Sequence, residues 1–146
     1  VWGLSSPHTL QNFDHFTSKT VELKIINLWR SLLESLDMAR AIVNILEDKK
    51  AEDIVLMDIQ EVTTITDYFV ICSGTSNRML DALANAVREK MREEHSIKGR
   101  IEGLPQNGWV LADYGDVVVH IFSEDQREYY QLEELWSGGK TLLRLQ

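Results

Sequence analysis

The sequence predicts an α/β protein of the α+β kind, a mixed sheet flanked by helices, and three observations carry that prediction. Apolar patterning orders the segments as helix, strand, strand, helix, strand, strand, strand, helix, with no internal repeat. A run from Tyr68 to Ser73 ends at Gly74 and passes through Thr75-Ser76 into a helix, the βα half of a crossover unit. The stretch from Gly108 to Phe122, GWVLADYGDVVVHIF, places two apolar runs around Asp113-Tyr114-Gly115-Asp116, the turn chemistry of a β-hairpin.

Bulk properties bound the rest. A chain of 146 residues, 44% hydrophobic and 26% charged, suffices for one domain with a real core. Its apolar runs are far shorter than the roughly 20 residues that cross a bilayer, and no charged leader precedes an apolar block. A single cysteine, Cys72, excludes an internal disulfide and a cysteine-rich zinc site, and fits a reducing compartment. The expectation is a soluble, cytoplasmic protein, or one of an organellar matrix if the source is eukaryotic, with no membrane partner. The chain opens on Val1 and not Met, as a fragment or processed form does.

The formal charge of −8 argues against direct, sequence-specific binding of nucleic acid. Between Trp109 and Trp136 stand seven acids, Asp113, Asp116, Glu124, Asp125, Glu128, Glu133 and Glu134, against one base, Arg127. Such a face suits a basic partner; it equally serves as a solvated surface that keeps the protein soluble.

Taken in order, the first twenty residues show no sustained period and read as a mostly irregular extension. Its His8 and His15 have no companion ligand and make no metal site. Thr20 is placed to cap a helix to about Leu36, and Asp37 a second from Met38 to about Lys49. Ile25, Trp29, Leu32, Leu36, Ala39, Val43 and Leu46 alternate spacings of four and three, a heptad seam. Either these helices fold back onto the domain, or one long helix offers a stripe to another copy, so the chain is a monomer or a homodimer through its N-terminal helices.

Ile54 to Ile59 reads as a strand buried on both faces, followed by Tyr68 to Ser73. The helix after Gly74 runs to about Glu94 with Met79, Leu80, Leu83, Val87 and Met91 on one face. Ile97 to Gly103 supplies a third strand. In the hairpin, Tyr114-Gly115 as loop residues would set Trp109 opposite His120 and Asp113 opposite Asp116. Alternation then gives an aliphatic core face of Val110, Ala112, Val117, Val119 and Ile121, and a mixed face of Trp109, Leu111, Asp113, Asp116, Val118, His120 and Phe122. Ser123-Glu124-Asp125-Gln126 fits a capping box for a last helix to Trp136, with Tyr129, Leu132, Leu135 and Trp136 on its buried side and Arg127, Tyr130 and Glu134 on a separate stripe. Gly138-Gly139 stops it and leaves a tail.

Three places could carry chemistry. Gly74, Thr75 and Ser76 resemble the glycine-serine turn of the nucleotidyltransferase fold, where helix-start amides hold a phosphate. That chemistry needs a neighbouring strand with two acids spaced by two, to hold divalent metals. The matching strand reads Arg100-Ile101-Glu102, a base in place of one acid, so a plain helix cap is the competing reading. Cys72, within Phe69-Val70-Ile71-Cys72, has the setting of a small buried core residue and not of a nucleophile. His120 has no nucleophile turn to serve, and reads as a structural or interface histidine. Binding fits better: Trp109, Tyr114, Phe122 and Tyr130 are aromatics the aliphatic core does not need, and aromatic residues with Arg are the usual interface anchors. The last helix, through Leu132 and Trp136, could instead cover this face.

Ala51-Glu52-Asp53-Ile54, Leu56-Met57-Asp58, Thr66-Asp67-Tyr68, Ile71 to Arg78 (ICSGTSNR), Trp109, Asp113 to His120 (DYGDVVVH), Arg127, Tyr129-Tyr130, Leu132-Glu133 and Leu135-Trp136 together resemble the ribosome silencing factors, also called Iojap-like proteins. The resemblance covers about Leu36 to Trp136. It divides the chain into an N-terminal extension (1–35), the family domain (36–137) and a C-terminal tail (138–146). It implies a nucleotidyltransferase-like fold without transferase activity, no cofactor, and binding to the large ribosomal subunit through a basic ribosomal protein of its intersubunit face, which keeps the small subunit from joining and represses translation. Carried onto this chain, the interface falls on Trp109, Asp113, Tyr114, Asp116, His120 and Phe122, with Arg127 and Tyr130 in support. The rival expectation is a metal-dependent nucleotidyltransferase or nucleotide-binding module using Gly74, Thr75 and Ser76.

Overall fold

The computed structural model describes the backbone of residues 7–146 and the side chains from residue 18 onward, other than those of residues 32 and 33. Of the twenty residues expected to be mostly irregular, residues 1–6 lie outside the described parts, as do the side chains of the histidines at 8 and 15 and of position 32 of the heptad seam. The backbone from residue 7 onward is helical, against that expectation, because an aperiodic polar segment still contains no helix-breaking residue after position 7. The chain divides into two units, Val1–Glu34 and Ser35–Gln146.

A single helix, α1 (Pro7–Asp48), has residues in both units and replaces the two helices expected with caps at Thr20 and Asp37. Neither residue breaks a helix; each costs only a few tenths of a kcal/mol in a helix interior. The seam behaves differently in the two units: Ile25 and Trp29 are exposed, while Ala39, Val43 and Leu46 are buried.

Unit 35–146 is built on a six-stranded mixed sheet. Its strands are β1 (Glu52–Asp58), β2 (Tyr68–Gly74), β3 (Arg100–Leu104), β4 (Trp109–Asp113), β5 (Val117–Ser123) and β6 (Lys140–Leu145). Their spatial order is β3-β4-β5-β2-β1-β6, with β2 and β5 parallel and the other pairs antiparallel. The tail expected after Gly139 is therefore largely an edge strand paired to β1. Its sequence KTLLRL lacks alternation because five of its six residues are exposed.

Every residue of β2 is buried, as a central strand covered on both faces requires. Alternation sorts the strands' apolar side chains into two cores. One contains Ile54, Leu56, Tyr68, Val70, Cys72, Val110, Ala112, Val117, Val119 and Ile121 with Ala39, Ile42, Val43 and Leu46 of α1 and the apolar face of α2 (Asn77–His95). The other contains Val55, Met57, Ile59, Phe69, Ile71, Phe122 and Leu132, with Trp109, Val118 and Trp136 packed against it. The whole predicted aliphatic face of the hairpin is 0–2% exposed, and each Val or Ile so buried contributes about 1.5–3 kcal/mol.

Hairpin pairing differs from the expected frame by two residues: Trp109 lies opposite Phe122, Leu111 opposite His120, and Asp113 opposite Val118. The reason is local. Gly115, at φ +82°, takes the first loop position, and its N–H donates to Asp113 Oδ1 at 2.8 Å, while Tyr114 N–H donates to Val117 O at 2.9 Å. A positive φ at the first loop position is the pattern of a primed turn with glycine there. Because the shift is even, the paired strand residues keep their faces, while Asp116, expected on the mixed face, becomes a loop residue.

The last helix is broken. α3 (Glu124–Tyr130) starts at Ser123, whose Oγ accepts from Gln126 N–H at 3.3 Å, and ends at Gln131 in the left-handed region (φ 45°); α4 (Leu132–Leu135) follows. Tyr129 and Leu135, expected on the buried side, are therefore exposed, while Leu132 is buried.

Candidate functional site

The second face of the sheet carries the candidate site, built outward from β5. His120 (4% exposed) and Phe122 (0%) lie beneath the surface, with Leu132, Phe69 and Trp136 among their neighbours. These two residues, expected to meet a partner, form the floor and not the contact surface. The last helices cover this part of the face, the alternative weighed from sequence.

Trp109 stands at the border of the covered area. Its indole N–H donates to His120 Nδ1 at 3.2 Å, and its ring lies 4.9 Å from Phe122 and 4.7 Å from Tyr130 by centroid. With Tyr130, Leu111, Glu102, Gly103 and Asn107 it lines an open groove of about 350 Å³. Asp113 continues the line of Trp109 and Leu111 along β4, since alternate residues share a face. Glu102, Gly103, Leu111 and Asn107 are members that were not singled out from sequence as site residues; the edge pairing of β3 with β4 brings Glu102 opposite Leu111.

Two expected members sit elsewhere. Tyr114 packs against the core shared with α1 and α2, with its ring so close to Gly99 that a Cβ there would lie 2.5 Å from it. Asp116 carries the backbone carbonyl that accepts from the N–H groups of Asp67 and Tyr68, and its carboxylate accepts from Ser35 Oγ at 3.2 Å. Its negative charge, after burial, pushes the Asp67 carboxyl above the ordinary range. Both residues belong to the opposite face because Gly115, and not Tyr114, begins the loop.

Arg127 is a lynchpin and not a free cation. Its guanidinium donates to Asp53 O at 2.7 Å and Ser73 Oγ at 2.8 Å, and pairs with Glu133 and with the Asp53 carboxylate at 3.4 Å. Arg144 of β6 grips the same Asp53 carboxylate at 3.0 and 2.9 Å. The side chain of Arg127 is 10% exposed. It forms the base of a cleft of about 360 Å³ whose rim carries Glu52, Glu124, Glu128 and Glu134.

The phosphate-binding alternative finds its groups engaged. Ser76 caps α2, its Oγ accepting from Met79 N–H at 3.1 Å, and the Thr75 N–H and hydroxyl both point to Met79 Sδ. Gly74 sits against the start of α2: a Cβ there would lie 2.9 Å from a Leu80 methyl group, which would have to shift. Arg100 and Glu102 pair with each other at 2.8 Å on β3, which β4 and β5 separate from β2. Among the described residues no group of three or more His, Cys, Asp or Glu is placed to hold a metal ion. Burial pushes the Cys72 thiol up to about 12, against a smaller opposing effect of Arg127, so it carries no thiolate near neutrality.

A family model described as ribosomal silencing factor during starvation matches residues 33–144. The ribosomal silencing factor of Halalkalibacterium halodurans is 40% identical over 106 residues, 73% of this chain and 91% of that protein. The chloroplastic protein Iojap of Zea mays is 34% identical over 112 residues, 77% of this chain and 48% of that protein. A crystal structure of a Chromobacterium violaceum protein superposes with a TM-score of 0.67 at 37% identity, covering 72% of this chain and 88% of that one. The match over most of the chain and the shared fold place it in one family: the chain belongs to the ribosomal silencing factor family, which includes the Iojap proteins.

Proposed function

We propose that this chain represses translation by docking on the large ribosomal subunit, through a basic ribosomal protein of its intersubunit face, and so blocking the approach of the small subunit. The observation that carries the reading is the groove of Trp109, Tyr130 and Glu102 in the most acidic quarter of the chain. A half-buried tryptophan beside a tyrosine supplies a rigid apolar anchor, and such anchors dominate interface energetics. Carboxylates beside aromatic faces suit Lys and Arg side chains, which gain from both the charge and the ring. Internal pairing of Arg127 with Asp53 and Glu133 removes the one base of the segment from competition for the surrounding acids. The mechanism is steric and requires no bond to form or break. Its setting is the cytoplasm or an organellar matrix.

Co-sedimentation with separated ribosomal subunits tests it. The wild-type chain is expected to travel with large subunits and not with small ones. Trp109→Ala removes the anchor, a loss of about 2 kcal/mol or more, roughly thirtyfold in affinity. Asp113→Lys, on the groove face, weakens binding, while Asp116→Lys, on the opposite face, leaves it near wild type. Equal binding by wild type and Trp109→Ala would sink the assignment.

A further inference from the structure

We propose that His120 is the positioning residue of the docking groove: as a neutral imidazole carrying its proton on Nε2, it accepts the Trp109 indole N–H at Nδ1 and fixes the indole as the groove wall. The inference rests on the docking reading above for its functional part and on geometry for the rest. Indole nitrogen is a donor only, so the 3.2 Å contact from Trp109 Nε1 requires a lone pair on His120 Nδ1. A neutral ring with Nδ1 as acceptor bears its hydrogen on Nε2.

The surroundings enforce that state. Trp109 pairs with Phe122 across the hairpin, and His120 with Leu111, so the indole reaches its partner diagonally on one face. Phe69 of β2 stands perpendicular to the imidazole with centroids 4.6 Å apart, and Phe122 stacks at 6.2 Å. Arg127 of α3 and Glu133 of α4 pair with each other, Asp113 of β4 takes the Gly115 N–H, and Tyr130 of α3 lies against Trp109. Burial alone lowers the pKa of His120 to about 4, and Nε2 has no hydrogen-bond partner among the described residues. Protonating Nδ1 would set two donors face to face and place a charge among aromatic rings. Held from below, the indole keeps one orientation and meets a partner with little ordering left to do.

The test has two arms on the full chain. Long-range proton–nitrogen correlation NMR at neutral pH is expected to report neutral His120 with its hydrogen on Nε2 and a Trp109 indole N–H slow to exchange with solvent. A hydrogen on Nδ1, or a charged ring, overturns the proposal. Co-sedimentation with large subunits then compares His120→Phe, which keeps an aromatic ring without an acceptor, and His120→Asn, which restores an acceptor near Nδ1. His120→Phe is expected to bind roughly tenfold more weakly, the scale of one hydrogen bond, and His120→Asn to recover part of that loss. If Trp109→Ala loses binding and His120→Phe does not, the positioning role is refuted while the docking site stands. If neither variant loses binding, the docking reading falls and takes the positioning role with it.

Discussion

At the scale of single residues, the two groups most suggestive of chemistry turn out to be held in their uncharged forms by burial. Cys72 lies on central strand β2 at 0% exposure, and its raised pKa removes the thiolate on which reactivity depends. Its thiol is expected to resist an aromatic disulfide reagent in native protein and to react at once in denaturant; rapid labelling of the native form would contradict this. For His120 the sign of the linkage is definite. The native pKa of about 4 lies below the ordinary 6.5, so the unfolded chain binds the proton first. Stability from this site is complete above about pH 6.5 and falls as the pH drops toward 4, by up to about 1.4 kcal/mol per unit. Urea midpoints across that window should therefore fall more steeply for wild type than for His120→Phe, and parallel slopes would disprove the effect. Sequence alone assigned His120 to the correct face by alternation. It could not give the burial, because the α3–α4 cover depends on a left-handed Gln131 that no local pattern announces.

Between residue and fold, the elements show which signals survive an error in detail. The hairpin frame moved by two residues, yet the core set Val110, Ala112, Val117, Val119 and Ile121 stayed intact because parity is preserved. Tyr114 lost its place in the candidate site to the same shift. The α3–α4 break has a purpose visible in geometry: on a straight helix residues six apart point about 240° apart and cannot meet. Breaking at Gln131 lets Glu133 reach Arg127, and through it the ends of β1, β2 and, by Asp53, β6 are tied together. Arg127→Ala leaves Asp53 and Glu133 with a lost partner and should cost about 2–3 kcal/mol, below the full value of a buried pair because both acids are partly exposed. Arg127→Lys, which cannot fork between these acceptors, should recover only a fraction. Urea titration of the two variants decides; near-wild-type stability of Arg127→Ala would show the network to be decoration.

For the molecule as a whole, the sheet and its helices organise two surfaces of different character, and the docking proposal uses only one. Strand-helix order was legible because long periodic segments carry their own signal, whereas β6 was not, since an exposed edge strand has no alternation to read. The groove aromatics Trp109 and Tyr130 stand out in the sequence as an excess over core need, whereas Glu102 enters the groove only through the β3–β4 pairing and Asn107 through the turn that joins those strands. With net charge −8 and seven acids between Trp109 and Trp136, long-range attraction to a basic partner should govern encounter, while the Trp109 contact governs residence. The two contributions separate by salt. Between about 0.1 and 1 M salt the Debye length shrinks from about 10 to about 3 Å, so the association rate with large subunits should fall steeply while dissociation changes little. Asp113→Lys should act on association and flatten that salt dependence, whereas Trp109→Ala should speed dissociation at every salt concentration. Stopped-flow binding with both variants measures each rate directly, and an association rate indifferent to salt would show that the acidic face serves solubility and not the encounter.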